Sequence, residues 1–487
     1  MFTCTPVNET EPQAFTCLCH SPAFARLNDM VERRFSRRSF LTGAGAVVGA
    51  AAFWPKQASA AIPDAPKSPI AFTNIKLFDG KSGKLIEGKR VVIEGNKIKS
   101  IEEAASPLAA GSETIDCGGR TLMPGLIDAH WHSMMAAVPM MDLMTADIGY
   151  INLVAAEEAR KTLMRGFTTI RDMAGPSFGL KRAIDRGLNP GPRIWPSGAM
   201  ISQTSGHGDF RLPYEVPAQI DAPLTHGEAA GAGMIADGVD QVLKRTREQL
   251  MLGASQIKLA AGGGVASNFD PIDVSQYTEP EFRAAVDCAE NWGTYVTVHA
   301  YTSRAIQTAI RGGVRCIEHG QLMDEDTAKM IADKGIWFSS QAFIENEFSN
   351  SYPEGSANQA KQRTMYAGTD TAYGLAKKYK LKTAWGTDLL FNPAMTKNQG
   401  AILTTMSRWY SNDEILVMAT GTNAELLAMS GPRNPYPNKV GVIEAGAYAD
   451  LLLIDGDPIA NIKLIADPEK NLKIIVKDGR IYKNTLA

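Results

Sequence analysis

The fold is decided by one ten-residue stretch, Met123-Pro124-Gly125-Leu126-Ile127-Asp128-Ala129-His130-Trp131-His132. Its apolar text predicts a short buried strand over residues 126–132, and the strand ends in two histidines. Side chains at positions i and i+2 of a strand point to the same side, so His130 and His132 face one centre. The stretch therefore predicts a strand that delivers two imidazoles to one place.

Seven more short apolar segments follow, and helical patterns separate most of them. This alternation predicts an α/β protein, and eight strands predict a closed (β/α)8 TIM barrel over residues 123–436. An open doubly wound sheet is the alternative, but it would need a Gly-rich phosphate turn after the first strand, and the sequence has none. The later predicted strands cover residues 167–173, 193–201, 256–261, 295–300, 316–319, 336–340 and 383–388. The predicted helices include residues 154–165, 239–252, 280–291, 303–311 and 324–333.

Both ends of the chain beyond residue 60 read as strands and turns. Before the barrel, residues 70–77 predict a strand, residues 90–98 predict a hairpin that turns at Gly95-Asn96, and residues 114–117 predict a strand that Gly118-Gly119 ends. After the barrel, residues 449–454 predict a strand, and residues 472–482 predict a hairpin that turns at Asp478-Gly479. We expect residues 61–122 and 437–487 to form one small β-sandwich domain.

The first sixty residues resemble an export signal. Ser36-Arg37-Arg38-Ser39-Phe40-Leu41 is a twin-arginine pattern, a Gly/Ala-rich apolar stretch follows, and Ala58-Ser59-Ala60 is typical of a signal peptidase site. We expect a protein exported by the twin-arginine route to the periplasm or beyond, with Met30 favoured over Met1 as the initiator. The rest of the chain has no run of 18 apolar residues, so no membrane association is expected in the mature form.

Composition excludes several classes of protein. The 487 residues are 44% hydrophobic and 21% charged, with a net charge of -2, which is ordinary for a globular protein. A nucleic-acid-binding protein would usually have a basic excess, so none is expected here. Past the signal, the chain holds the cysteines Cys117, Cys288 and Cys316, an odd and widely spaced set that predicts no disulfide framework.

Four histidines and one aspartate fall at the ends of predicted strands: His130, His132, His299, His319 and Asp388. The carboxyl ends of barrel strands meet at one face, and the active sites of such barrels lie there. Several imidazoles with a carboxylate suit Zn²⁺ or a similar divalent cation, with Mn and Co as alternatives. The pattern therefore predicts a metal site at this face.

Lys258 lies inside the predicted fourth strand, where its charge is costly. In one interpretation the side chain reaches the rim of the barrel. In the other, its Nζ carries a carboxyl group from CO2, because a carbamate is an anion that can bridge two metal ions whereas an ammonium cannot bind a cation. The second interpretation predicts two metal ions per chain.

This ordered set of residues resembles that of the amidohydrolase superfamily, and the resemblance covers residues 66–487. The lead-in at residues 123–130 and the tail at residues 446–453 match the family closely. Within the superfamily, the chain is most similar to the imidazolonepropionase-like branch, which includes Xaa-Pro dipeptidases and bacterial ochratoxin-hydrolysing amidohydrolases. The stretches behind this placement are Ser205-Gly206-His207-Gly208-Asp209, His299-Ala300-Tyr301 and Ile317-Glu318-His319-Gly320.

The resemblance implies a division of roles among these residues. His130, His132 and Asp388 would hold one metal, His299 and His319 the other, with carboxylated Lys258 as the bridge. Asp388 would take the proton of a metal-bridging hydroxide and hand it to the departing amine, which an amide requires as a leaving group. His207 and Tyr301 would contact the reacting centre and the substrate's carboxylate.

The expected function is a binuclear-metal amidohydrolase that cleaves the amide bond of a dipeptide or N-acyl amino acid, with an ochratoxin-like aryl amide as a credible substrate. The alternative is a cyclic-amide hydrolase of the imidazolonepropionase type, which would bind one metal and need no carboxylated lysine. Relatives of this branch often assemble as symmetric multimers, so we expect a homo-oligomer, such as an octamer.

The remaining polar residues divide between binding and structure. Arg171 and Arg304 could each pair with a substrate carboxylate or belong to a structural ion pair with Asp172 or Glu318. His226 has no motif around it and is expected to be structural. The glycines at 262–264 predict a flexible active-site loop. The long segments at residues 203–237 and 343–379 are expected to shape the substrate pocket or a subunit interface, with aromatic residues Phe210, Tyr214, Phe343, Phe348 and Tyr352.

Overall fold

The structure, a computed structural model, describes residues 62–216 and 222–486. The predicted export signal at residues 1–60 lies outside the described residues. Within the described ranges, no helix has both the length and the apolar character needed to cross a membrane. Strands and helices alternate through the middle of the chain, so the α/β class predicted from the sequence is confirmed.

Strands from both ends of the described chain lie in one sheet of eight. The order in this sheet is β18-β17-β16-β5-β1-β3-β4, and β2 pairs with β1. The two ends join where β5 runs antiparallel to β16, with Leu122 opposite Leu453. The first five strands are β1 (Ile70–Phe78), β2 (Leu85–Ile86), β3 (Lys89–Glu94), β4 (Lys97–Glu103) and β5 (Glu113–Pro124). The last three are β16 (Leu451–Ile454), β17 (Leu472–Lys477) and β18 (Arg480–Asn484).

One strand of this sheet differs from the sequence prediction. The pair Gly118-Gly119 was expected to end a strand, but β5 continues through it to Pro124. Both glycines have a positive φ, 60° and 75°, which accommodates a bulge opposite β1. The strand therefore leads straight from the mixed sheet into the decisive stretch around His130. The two predicted hairpins are confirmed, with turns at Gly95-Asn96 and Asp478-Gly479.

The parallel strands of the middle region form two hydrogen-bonded sheets, one in the order β6-β7-β8 and one in the order β10-β9-β11-β12-β13-β14-β15. The last strand of the second sheet approaches the first strand of the other, because the backbone N–H of Asp388 donates to the carbonyl of His130 at 2.8 Å. The strands are β6 (Leu126–Trp131), β7 (Phe167–Asp172), β8 (Arg193–Pro196), β9 (Met200–Ser202), β10 (Gly233–Ile235), β11 (Ile257–Ala260), β12 (Val296–Thr302), β13 (Cys316–Leu322), β14 (Trp337–Ser340) and β15 (Lys382–Trp385).

All eight predicted barrel strands are present, with two differences. The strand predicted over residues 193–201 is two strands, β8 and β9, because the chain bends at Gly198, where φ is 75°. The structure also has the short strand β10, which pairs with β9. Its three residues are too few to give a recognisable strand pattern, so the sequence did not indicate it.

Helices cover the outside of these parallel strands, and their apolar faces form the main cores. The helices predicted over residues 239–252 and 303–311 have the predicted bounds. The helices are α1 (Met140–Thr145), α2 (Ile148–Met164), α3 (Phe178–Asp185), α4 (His226–Ala229), α5 (Val239–Leu252), α6 (Glu279–Asn291), α7 (Ser303–Arg311), α8 (Glu325–Asp333), α9 (Ala357–Lys378), α10 (Gln399–Thr404), α11 (Asn412–Val417), α12 (Asn423–Ala428) and α13 (Pro468–Asn471).

Candidate metal centre

The predicted site residues line one cavity of about 490 Å³ at the carboxyl ends of the parallel strands. Strand β6 delivers His130 and His132, and their ring centroids are 5.3 Å apart. His319, from β13, lies 5.0 Å from His130 and 4.4 Å from His299 of β12, again between ring centroids. The cavity is also lined by Lys258, His207, Tyr301 and Asp388. The residues predicted from six separate segments are thus brought together.

The sequence suggested that Asp388 ends a strand. In the structure, Asp388 reaches the cavity from a loop. Strand β15 ends at Trp385, and the chain then passes so close to His130 that a Cβ on Gly386 would lie 2.3 Å from the His130 nitrogen. The carboxylate Oδ1 of Asp388 lies 2.9 Å from His132 Nε2 and 3.3 Å from His130 Nε2. The glycine is therefore required for the close approach that places Asp388 between the two imidazoles.

Two of these residues have a backbone conformation that favours glycine. His319 has φ 77° and Asp388 has φ 54°. Such a conformation costs on the order of 1–3 kcal/mol in a residue with a side chain, and it persists only where the surroundings enforce it. The conformation aims both side chains at the cavity, which is consistent with a functional constraint at these positions.

Burial sets the protonation of the cluster. It lowers the pKa of His130 to about 4 and lowers the pKa values of His299 and His319 well below the ordinary range, so these imidazoles are neutral near pH 7. Burial alone would raise the pKa of Asp388, but His130, His132 and His319 outweigh it and the net pKa is lowered. The site therefore combines neutral imidazoles with an ionised carboxylate, which are the forms that bind a divalent metal.

The donor atoms fit a metal ion. One ligand atom each from His130, His319 and Asp388 lie within 4.8 Å of one another. The Nδ1 of His130 is 2.9 Å from the Glu318 carboxylate, which leaves its Nε2 on the side of Asp388. His299 Nε2 lies 3.1 Å from the carbonyl of Gly263, which leaves its Nδ1. A second group that engages the far ring nitrogen is typical of metal-binding histidines.

Lys258 is 2% exposed on strand β11 and lines the same cavity. Burial lowers its pKa to about 8, although Glu318 and Asp388 act in the opposite direction. A lysine amine reacts as a nucleophile only in its neutral form, and the lowered pKa makes this form more accessible. The alternative of a side chain that reaches the solvent at the rim is not what the structure describes.

A buried ion pair lies directly behind the histidines. Arg171 and Glu318 are both 0% exposed, and the guanidinium donates to the carboxylate at 2.7 and 2.9 Å. Of the two alternatives that the sequence left open for Arg171, the structural ion pair with Glu318 is therefore the one observed. Arg304 is exposed and does not line the cavity. Glu318, which the sequence suggested only as an ion-pair partner, also contacts His130.

His207 and Tyr301 contact the cluster through His299 and line the same cavity. The ring of His207 stacks on His299 at 4.0 Å between centroids, and Tyr301 lies 4.8 Å from His299 in an edge contact. The glycines at 262–264 pass directly beside them, since a Cβ on Gly264 would lie 2.0 Å from His207 Nδ1. The glycine loop thus lies beside His207, and its role as a flexible active-site loop stays a prediction.

The outer wall of the cavity is mostly apolar and aromatic. Four of the five aromatic residues proposed for it from the sequence do line it, namely Phe210, Phe343, Phe348 and Tyr352. The fifth, Tyr214, is 81% exposed and lines a neighbouring cavity with His226. His226 lies at the start of helix α4 and does not line the cavity that holds His130 and Asp388.

Several residues that support the site were not predicted. Buried Asp128 accepts hydrogen bonds from the backbone of His130 and from Thr387, and so joins the two segments that meet at Asp388. Gln341, just after β14, has its Oε1 2.7 Å from His319 Nδ1. Asp128 lies inside the stretch at residues 123–132. The sequence alone does not distinguish a buried aspartate that links two segments by hydrogen bonds from one that binds a metal ion.

Parallel strands that supply histidines, and a loop that supplies an aspartate, to one cavity define the class as an α/β protein with a candidate metal centre. Residues 121–482 match the family model described as the amidohydrolase family. The chain belongs to the amidohydrolase family, and it is a hydrolase that acts on C–N bonds of small-molecule amides. Divalent metals are generally used in this family, and the His130, His319 and Asp388 group is a candidate site for one.

Individual relatives confirm the branch that the motifs indicated. The ochratoxinase of Aspergillus niger is 31% identical over 372 residues, which cover 74% of this chain and 75% of that enzyme. A crystal structure of an amidohydrolase is 35% identical with a TM-score of 0.77, and covers 86% of this chain and 100% of its own. A prolidase complexed with N-methylphosphonate-L-proline is 33% identical with a TM-score of 0.78, and has the same two coverages.

Proposed function

We propose that this protein is a binuclear-metal amidohydrolase that cleaves the amide bond of a dipeptide or an N-acyl amino acid, including ochratoxin-like aryl amides. One observation carries the proposal: His130, His319 and Asp388 converge in a cavity that also contains the buried Lys258. The ochratoxinase and prolidase relatives support an amide next to an amino acid as the substrate class. The apolar and aromatic wall supports a substrate with an aromatic group.

In this proposal, His130, His132 and Asp388 would hold one metal ion, and His299 and His319 would hold the other. Lys258, carboxylated on Nζ, would supply a further anionic ligand to the ions, which would be zinc or another divalent metal. Its buried position next to Asp388 and Glu318 supports this role, because an unmodified ammonium would repel the ions. The bound ions would lower the pKa of a water molecule and polarise the scissile carbonyl.

The side chains then carry the proton and hold the substrate. Asp388, ionised and in contact with His132, accepts a proton from the attacking water and passes it to the departing amine. Tyr301 remains protonated because burial raises the pKa of its phenol well above the ordinary range, so its O–H is available as a hydrogen-bond donor to the substrate. His207, next to His299, contacts the reacting centre.

The rest of the predicted architecture belongs to the same proposal. The hydrogen bond from Asp388 to the His130 carbonyl supports closure of the parallel strands of residues 123–436 into a (β/α)8 barrel. The pairing of β5 with β16 supports a β-sandwich domain built from residues 61–122 and 437–487. We further propose export of the protein by the twin-arginine signal at residues 1–60, and assembly of the mature chain as a homo-oligomer such as an octamer.

The proposal is tested with metal-reconstituted protein, by metal analysis and a substrate screen on the same sample. About two divalent ions per chain and release of a free amine from N-acyl amino acids or dipeptides are expected. One ion per chain, with cleavage of cyclic ureides and of no carboxy-terminal amide, would instead favour the imidazolonepropionase-type alternative. A CO2-dependent gain in metal content during reconstitution would separately support the carboxylated lysine.

A further inference from the structure

The far side of the His207 ring is engaged by a short hydrogen-bonded chain. His207 Nδ1 lies 2.6 Å from Ser267 Oγ, and Ser267 Oγ lies 2.7 Å from Asp270 Oδ2. Ser267 is 1% exposed and Asp270 is 0% exposed. The same carboxylate oxygen is 3.4 Å from His207 Nδ1. Neither Ser267 nor Asp270 stood out in the sequence, and neither belongs to the proposed metal ligands.

The ionised carboxylate at the end of this series of three side chains fixes the direction of each hydrogen bond. An ionised carboxylate can only accept, so Ser267 must donate its single proton to Asp270. The hydroxyl oxygen is then the acceptor for His207, and the proton of a neutral His207 lies on Nδ1. Its other nitrogen, Nε2, is left without a proton on a residue that lines the cavity.

The segment at residues 264–270, which carries Ser267 and Asp270, is itself held in place by its neighbours. The Gly264 N–H donates to Asp270 Oδ2 at 2.7 Å, and the tight fit of Gly264 against His207 leaves no room for a side chain. From helix α9, Lys361 donates to the carbonyls of Gly264 and Ser267 at 3.0 and 2.9 Å. The carboxylate is therefore anchored independently of the imidazole that it orients.

We propose that Asp270, acting through Ser267, is a positioning residue that holds His207 in the Nδ1–H tautomer with Nε2 facing the cavity as a hydrogen-bond acceptor. The inference rests on the proposed function, in which His207 contacts the reacting centre. It refines that role: in the Nδ1–H tautomer, His207 accepts a hydrogen bond from the substrate at Nε2, while Tyr301 donates one. The two residues, both in contact with His299, thus offer the substrate an acceptor and a donor.

A double-mutant cycle tests the inference. In Asp270→Ala, Ser267 loses the carboxylate that accepts its proton, so its hydroxyl can donate to His207 Nδ1 instead, which moves the His207 proton to Nε2. We expect kcat/KM to fall roughly 10- to 100-fold when His207 is present, and less than about twofold in the His207→Ala background. Equal losses in both backgrounds would show that Asp270 merely supports the loop, and would overturn the proposal. Asp326→Ala, at an exposed position, is the matched control.

A spectroscopic measurement tests the same claim without activity. In 15N-histidine-labelled protein, the two-bond 1H–15N pattern of His207, assigned by its loss in His207→Ala, should show a protonated Nδ1. Ser267→Ala, which keeps Asp270 and its bond to Gly264, should mix the two tautomers. A wild-type His207 protonated on Nε2 would overturn the inference. If the wild type cleaves no amide but shows the expected tautomer, the proposed function fails and the positioning role survives.

Discussion

Two buried lysines of this protein have similarly lowered pKa values, but only one of them lines a cavity. Lys258 on β11 and Lys477 on β17 are 2% and 5% exposed, and burial lowers the pKa of each to about 8. Lys258 lines a cavity with five histidines and Asp388. Lys477 lies beside Arg193, Asp450 and Asp478, and lines neither of the two described cavities. A shifted pKa therefore does not by itself identify a site.

The charges around the two lysines show why only the region of Lys258 is a candidate site. Arg193 donates to Asp450 at 2.9 Å and to Asp478 at 2.7 Å, so these ionic groups already satisfy one another. In the other region, Glu318 is neutralised by Arg171, whereas His130 and Asp388 contact each other in the wall of the cavity. What marks the functional region is thus a set of polar atoms that face one shared cavity.

The largest expected effect comes from replacing each lysine by methionine. Lys258→Met should reduce hydrolysis to background and lower the metal content, because the bridging anion is lost. Lys477→Met should retain both the turnover and the metal content of the wild type. Metal analysis and amine release, measured side by side, make the comparison. Equal metal content in the two variants would remove Lys258 from the metal site.

Asp388→Asn should separate catalysis from metal binding. An amide in place of the carboxylate cannot accept the proton of the attacking water, so kcat should fall by about 10²- to 10⁴-fold. The metal content should fall far less, since four imidazoles and Lys258 remain. Asp370→Asn, at an exposed position, serves as the control. Near-normal turnover in Asp388→Asn would remove Asp388 from the proton transfer.

Glu318 and Asp450, the two buried acids that pair with arginines, should have different effects when each is replaced by its amide. Glu318→Gln weakens the hold on His130, and we expect a roughly 10- to 100-fold loss of metal affinity. Asp450→Asn leaves Arg193 partly unpaired and should cost about 3–5 kcal/mol of folding free energy, without a change in turnover per folded molecule. Competition with a chelator and urea unfolding give the two quantities. A loss of metal affinity in Asp450→Asn as well would erase the distinction between the regions.

The smallest effect concerns the pH dependence of stability. The pKa of Lys477 is about 8 in the folded state, whereas an ordinary lysine side chain has a pKa of 10.5, so the unfolded chain binds more protons between these values. The free energy of unfolding should therefore rise from pH 8 to 10.5. Below pH 8, the cost of burying the charged Lys477 lowers the free energy of unfolding by its full amount. This amount is about 3 kcal/mol, at roughly 1.36 kcal/mol per pKa unit.

Lys477→Met removes this penalty and should stabilise the protein at pH 7. The difference from the wild type should shrink as the pH approaches 10, which urea unfolding at several pH values would measure. A variant that is less stable than the wild type at pH 7 would show that attraction to Asp450 and Asp478 outweighs the burial of the charge.

Much of the metal-ligand set could be predicted because it follows from local pattern. His130 and His132 are two positions apart on an apolar strand, and His299 and His319 each lie near the end of one. Asp388 was identified as a site residue but placed on a strand. The strand ends three residues earlier, because the chain must bend around His130 to deliver the carboxylate.

The supporting residues could not be predicted in the same way. Ser267 and Asp270 resemble ordinary loop residues, and their link to His207 joins positions 60 or more apart in the chain. The extra strand β10 also depends on its pairing with the neighbouring strand β9. Hydrogen-bond partners of this kind are chosen by the fold as a whole.

By itself, the sequence determined the alternation of strands and helices, the residue types available to a metal, and the family. These follow from the periodicity of apolar residues and the spacing of histidines, which are local properties of the chain. Only the tertiary structure decided which atoms meet: Asp388 with His132, Glu318 with Arg171, and Asp270 with Ser267 and His207. Such contacts depend on the packing of distant segments, where angstrom-scale distances and burial set both charge and hydrogen-bond direction.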